Sequence, residues 1–100
     1  MVPPQTKNMS NNEINSDITW DTETKSKFDQ MVAKVPVFLR EVAQKKVFQK
    51  AVDLALKDGR RNISEKDMVD AFFAATPFGF HGPMKSDMEE LKIDYLKYGY

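Results

Sequence analysis

The stretch from Pro36 to Gly59 constrains this chain more than any other, because it reads as one long helix whose apolar residues change sides halfway along. Pro36 suits a helix start, where its missing N–H would have no partner anyway, and Gly59 suits the residue just past a helix end. At about 100° per residue, Phe38, Leu39, Val42 and Ala43 gather on one side of the first half. Val47, Phe48, Ala51, Val52, Leu54, Ala55 and Leu56 centre roughly half a turn away. A rod of about 30 Å with two apolar sides needs two different neighbours. The expected fold is therefore all-α, with shorter helices covering the two halves and the chain self-associating or docking on another protein.

The flanking segments supply those helices. Asp21 stands where an N-cap would, Glu23 complements the first turn, and Phe28, Met31, Val32 and Val35 recur at i, i+3, i+4 and i+7, ending before Pro36. By the same spacing Phe28 and Phe38 are both expected in the core. After Gly59, Ser64 with Asp67 approximates a capping box and Ile63 with Met68 a hydrophobic staple. Met68, Val69, Phe72 and Phe73 form the buried side of that third helix, which Thr76-Pro77 ends. The run Pro77-Phe78-Gly79-Phe80-His81-Gly82-Pro83 reads as a tight aromatic loop. Ser86 with Glu89 offers a second capping box, and Met88, Leu91, Tyr95 and Leu96 line a fourth helix before Gly99.

The division this suggests is a flexible leader over 1–18, rich in Pro and Asn, a three-helix core over 19–76, and an aromatic loop with a C-terminal helical extension over 77–100. No alternating strand pattern or internal repeat is present.

Composition narrows function mainly by exclusion. With 100 residues one small domain is the ceiling. The absence of cysteine excludes disulfides, thiolate metal sites and a cysteine nucleophile, and the single histidine, His81, excludes multi-histidine metal sites. No glycine-rich phosphate loop or Ser/His/Asp order is present, so the chain is not expected to be an enzyme on its own. No apolar run reaches the roughly 20 residues of a membrane span, and no signal peptide opens the chain. A cytoplasmic location without membrane contact is the expectation.

Charge is uneven although it sums to zero. One lysine stands against four acids over 1–24, ten bases against four acids over 25–61, and four bases against seven acids over 62–100, a balance of −3, +6 and −3. The basic middle suits an anionic partner or simple self-neutralisation. Lys45, Lys46, Lys50, Arg60 and Arg61 are the candidates for anion or nucleic-acid contact. Candidates for ligand or partner binding are Trp20, which either stacks on a ligand or pins a helix end; Arg40, whose planar fork suits a carboxylate or phosphate; and Phe78, Phe80 and His81, which either meet a planar macrocycle or cap the core. The carboxylates Asp67, Asp70, Asp87, Glu89 and Glu90 read as caps and solubilising groups.

The run W-D-x-E-x(10)-K-V-P-V-F-L-R from Trp20 to Arg40, followed by a long helix, Gly59 and Ile63, resembles the small C-terminal domain of the light-independent protochlorophyllide reductase B subunit. Trp20, Glu23, Pro36, Phe38, Arg40, Ala51, Gly59 and Ile63 carry the likeness, while Gln44 and Phe48 depart from it. The resemblance implies a non-catalytic helical binding or assembly module, an accessory to an oxidoreductase, that contacts a tetrapyrrole or a redox-protein partner. No other cofactor and no metal is implied. The Gly59-Arg60-Arg61-x-Ile63-x-x-x-Asp67 connection is also similar to the histone fold, which implies a DNA-binding dimer as the alternative.

Overall fold

A computed structural model describes residues 18–100, and these are mostly helical. The leader expected over 1–18 lies outside the described residues except for Ile18. In chain order the elements are β1 (Thr19–Trp20), α1 (Thr22–Ala33), α2 (Val37–Lys57), β2 (Asn62–Ile63), α3 (Glu65–Ala75), a 3-10 turn (Phe78–Phe80), α4 (His81–Glu90) and a second 3-10 turn (Leu96–Tyr98). Short helix, long helix, short helix and a helical extension is the expected arrangement.

The helix boundaries follow from the caps. Ser64 Oγ accepts from the Asp67 N–H while the Asp67 carboxylate accepts from the Ser64 N–H, a complete capping box at the start of α3. Gly59 takes φ +74° just past α2, in the left-handed region that costs other residues about 1–2 kcal/mol. Asp21 precedes α1, but its carboxylate accepts from Asn62 Nδ2 at 2.6 Å and makes no bond to the helix backbone. That contact belongs to a feature too short for any sequence pattern: β1 pairs with β2 in parallel, Thr19 opposite Asn62 and Trp20 opposite Ile63. The bridge pins the start of α1 beside the start of α3.

One buried cluster holds the elements together. Phe28, Met31 and Val32 of α1 meet Val47, Ala51, Val52 and Ala55 of α2, Ile63, and Met68, Val69, Phe72 and Phe73 of α3. Met84, Met88, Ile93 and Tyr95 join the same cluster from the C-terminal segment. Thr24 and Asp67 are also buried, and periodicity pointed to neither as interior.

Two expectations about elements are corrected. The fourth helix does not start at Ser86; α4 runs from His81 to Glu90, with Ser86 inside it. Gly82 and Pro83 resemble loop residues in sequence, yet they occupy a first helical turn, where N–H groups lack intrahelical partners and a proline removes nothing. After Glu90 the chain turns through Lys92 at φ +61°, so Tyr95 and Leu96 lie beyond the helix, and Leu96 is exposed. The C-terminal residues are instead held by their hydroxyls. Tyr98 donates to Glu65 Oε1 and Tyr100 to Asp70 Oδ1, each at 2.7 Å, while the Tyr95 hydroxyl donates to Glu89. The Tyr100 ring stacks on Phe73 with centroids 4.0 Å apart.

The larger correction concerns α2. Its second half is covered as expected except at Leu56, which is exposed, but among the described residues nothing covers the apolar side chains of the first half. Phe38 is 83% exposed, Val37 76%, Val42 55% and Leu39 47%. Phe38 is therefore not a core residue. An 11-residue α3 is about 16 Å long and reaches only part of a 21-residue rod.

Candidate functional site

The uncovered half of α2 begins at a corner built by Arg40. Its guanidinium donates to the carbonyls of Val35 (2.9 Å from Nη2, 3.2 Å from Nε) and Ala33 (2.9 Å), the acceptors left over where α1 ends. Pro36 sits between the helices as the residue before α2. Arg40 thus fixes the angle at which α2 leaves α1, and its fork is already engaged.

Beyond that corner, Val37, Phe38, Leu39 and Val42 present apolar surface to solvent within six positions of sequence. The surrounding stretch 34–50 carries Lys34, Arg40, Lys45, Lys46 and Lys50 against the single acid Glu41. Lys34 pairs with Glu90 at 3.1 Å, and Lys45 reaches Glu41 at 3.8 Å. Lys46 and Lys50 have no ion-pair or hydrogen-bond partner among the described residues. With Gln49 and Asp53 they line an open groove against Ala74 and Ala75 at the end of α3. The first half of α2 is thus an exposed aromatic-aliphatic surface with a basic margin.

The other sequence candidates divide by task. Trp20 is half-buried, its ring 4.8 Å from Phe28 and stacked 5.9 Å from Phe48, so it pins the start of α1 to the core. His81 places Nε2 2.8 Å from the Thr76 carbonyl, which makes that nitrogen the donor, and its ring meets Phe73 edge-on at 5.0 Å. Phe80 is exposed and Phe78 is exposed beside the His81 ring. The histidine is part of the joint between α3 and α4. Among the described residues no group of three or more His, Cys, Asp or Glu is placed to hold a metal ion.

Arg60 and Arg61 also part company. Arg60 grips Asp67 with two bonds of 2.8 Å from Nη1 and Nη2, donates 2.9 Å to the Asn62 carbonyl, and meets Asp58 at 2.7 Å. Burial pushes the Asp67 carboxyl up, but the Arg60 guanidinium and the Ser64 N–H and hydroxyl prevail and hold it below the usual carboxylate range. The Asp67 hydrogen bond, followed by that of Asp58, raises the affinity of Arg60 for its proton. Arg60 is thus the latch of the α2 to α3 connection, which the sequence disclosed only as a seven-residue spacing. Arg61 is exposed and has interactions of its own.

Comparison with known proteins places the chain elsewhere than its motifs suggested. The model of a family described as protein of unknown function (DUF2621) matches residues 8–100. A Bacillus subtilis (strain 168) protein named membrane protein YneK is 33% identical over 84 residues, which is 84% of this chain and 59% of that protein. The chain thus spans about three-fifths of the length of that relative. No solved structure matches. These matches overturn the protochlorophyllide reductase resemblance and, with it, the oxidoreductase-accessory module and the histone-like DNA-binding alternative. The residues behind both likenesses have local structural work here: Trp20 in packing, Pro36 and Arg40 at a helix corner, Gly59 in a positive-φ turn and Arg60 on Asp67. Any helix-corner-helix protein can draw on the same residues. The cytoplasmic expectation also falls, since the relative is named a membrane protein. No helix among the described residues is long and apolar enough to cross a membrane.

Proposed function

The chain belongs to the DUF2621 family, and from that premise we propose that it is a docking domain that lays the first half of α2 on an anionic membrane surface. The observation that carries this is the uncovered Phe38, Leu39 and Val42 on one side of α2, inside a stretch with five bases and one acid. An apolar face alone binds lipid weakly and a basic patch alone is screened by salt; the two together give stable, reversible attachment. Each lysine or arginine near an anionic leaflet contributes about 1 kcal/mol. The description of the Bacillus relative as a membrane protein supports the same setting for this chain.

The reading assigns no chemistry to the domain. Its task is to hold a surface, with Arg40 setting the angle of the face and the core bracing it from behind.

Co-sedimentation with vesicles tests this directly. The protein pellets with vesicles containing phosphatidylglycerol and not with phosphatidylcholine alone, and Phe38→Ser with Val42→Ser abolishes pelleting. Equal binding to both vesicle types, or binding indifferent to the double substitution, contradicts the proposal. A lipid-free dimer that dissociates on the same substitutions would give the face to a second copy of the chain instead.

A further inference from the structure

We propose that the groove between the middle of α2 and the end of α3 binds a phosphodiester whose alcohol carries a free hydroxyl, and that the source is the headgroup of the lipid beneath α2. This rests on the membrane-docking reading. Lys46, Gln49, Lys50 and Asp53 follow one another at helical spacing along α2 and face Ala74 and Ala75. The two small side chains leave an open volume of about 360 Å³, within the size range of small-ligand sites.

Several charged side chains elsewhere pair within the molecule, while Lys46 and Asp53 in the groove are exposed and Lys50 is half-buried. Lys25 binds Asp29, Lys66 binds Asp70 and Arg60 binds Asp67. Lys46, Lys50 and Asp53 have no such partner among the described residues. Lys46 and Lys50 are one turn apart on α2, so their ammonium groups repel mildly, and an anion between them relieves that repulsion. Gln49 adds an amide donor beside them. Asp53 and the carbonyl end of α3 carry the opposite sign. The groove is therefore polarised: donors for a phosphate oxygen at Lys46, Gln49 and Lys50, acceptors for a hydroxyl at Asp53. Two cations and one carboxylate leave one net positive charge, the complement of a single phosphodiester anion. The groove also starts one turn past Val42 on the same helix, so a lipid whose chains meet Phe38 and Val42 has its headgroup within reach.

The test compares vesicles containing phosphatidylglycerol with vesicles given the same surface charge by oleate, which has no phosphodiester. The protein is expected to prefer the former about tenfold. Lys46→Gln with Lys50→Gln removes the preference, leaving weaker and equal binding to both, and Asp53→Asn reduces it. A preference unchanged by the lysine substitutions overturns the proposal. Titration with water-soluble glycerophosphoglycerol, followed by the backbone amide signals of residues 46–53, is independent of vesicle binding. Shifts there without vesicle binding sustain the groove while refuting its lipid source and the membrane reading. Absence of shifts with both glycerophosphoglycerol and inorganic phosphate refutes the groove, whatever the vesicles do.

Discussion

Phe28 and Phe38 are indistinguishable by helical spacing, and replacing each with alanine separates the roles the structure gives them. Phe28 is 2% exposed and packs between the rings of Trp20 and Phe72, at 4.8 and 6.0 Å. Removing it deletes a buried ring and leaves a cavity, which costs about 3–5 kcal/mol. At about 4–8 °C per kcal/mol for a domain this size, the melting temperature falls by roughly 12 °C or more. Phe38 is 83% exposed, so Phe38→Ala shifts stability by less than about 0.5 kcal/mol, with alanine the better helix former. Its effect is on lipid. A phenylalanine offers roughly 200 Å², about 165 Å² of it uncovered here; burying half of that at about 25 cal/mol per Å² gives about 2 kcal/mol, or roughly 30-fold in vesicle affinity. Thermal unfolding by circular dichroism and vesicle partitioning measure the two quantities. Phe38→Ala as destabilising as Phe28→Ala, or without effect on partitioning, refutes the reasoning.

Three further outcomes follow from the caps and the tyrosines. Ser64→Ala removes one half of the α3 capping box and lowers stability by about 1 kcal/mol in denaturant titration. Gly59→Ala has room for its methyl group but must hold φ +74°, and loses about 1 kcal/mol from backbone strain alone. Burial, followed by the Asp70 hydrogen bond, pushes the Tyr100 hydroxyl from 10.0 up to about 12. The fold thus favours the protonated phenol: its stabilisation is complete below pH 10 and lost as pH rises from about 10 to 12. Circular dichroism across that window shows the loss, and Tyr100→Phe, which cannot ionise, reduces the pH dependence.

What could be read from the sequence was what is decided locally. Pro36, Gly59 and the Ser64–Asp67 pair act within a turn of themselves, so the limits of α2 and the start of α3 follow from residue type and spacing. Contacts between distant residues leave no such mark. Tyr98 with Glu65 and Tyr100 with Asp70 are separated by 33 and 30 positions, and the β1 to β2 bridge is only two residues long. Periodicity identified two apolar sides on α2 but not which of them the chain itself would cover, because a covered and an uncovered face have the same spacing. The planar fork of Arg40 suits an anion by residue type and a local partner equally well, and its acceptors are the backbone carbonyls of Ala33 and Val35 at the corner after α1. Lys46 and Lys50 were visible as part of a basic run; that they border a groove depends on Ala74 and Ala75, brought alongside only by the packing of α3.

Docking requires the first half of α2 to be open in water and covered on lipid. The chain lacks cysteine, so single substitutions Phe38→Cys, Leu39→Cys and Val42→Cys each carry one environment-sensitive fluorophore, with Ser26→Cys on α1 as reference. Anionic vesicles are expected to blue-shift the emission at 38, 39 and 42, with lipid-borne quenchers reaching those probes and not the one at 26. Unchanged spectra with vesicles, or a shift that appears on raising protein concentration without lipid, would contradict it.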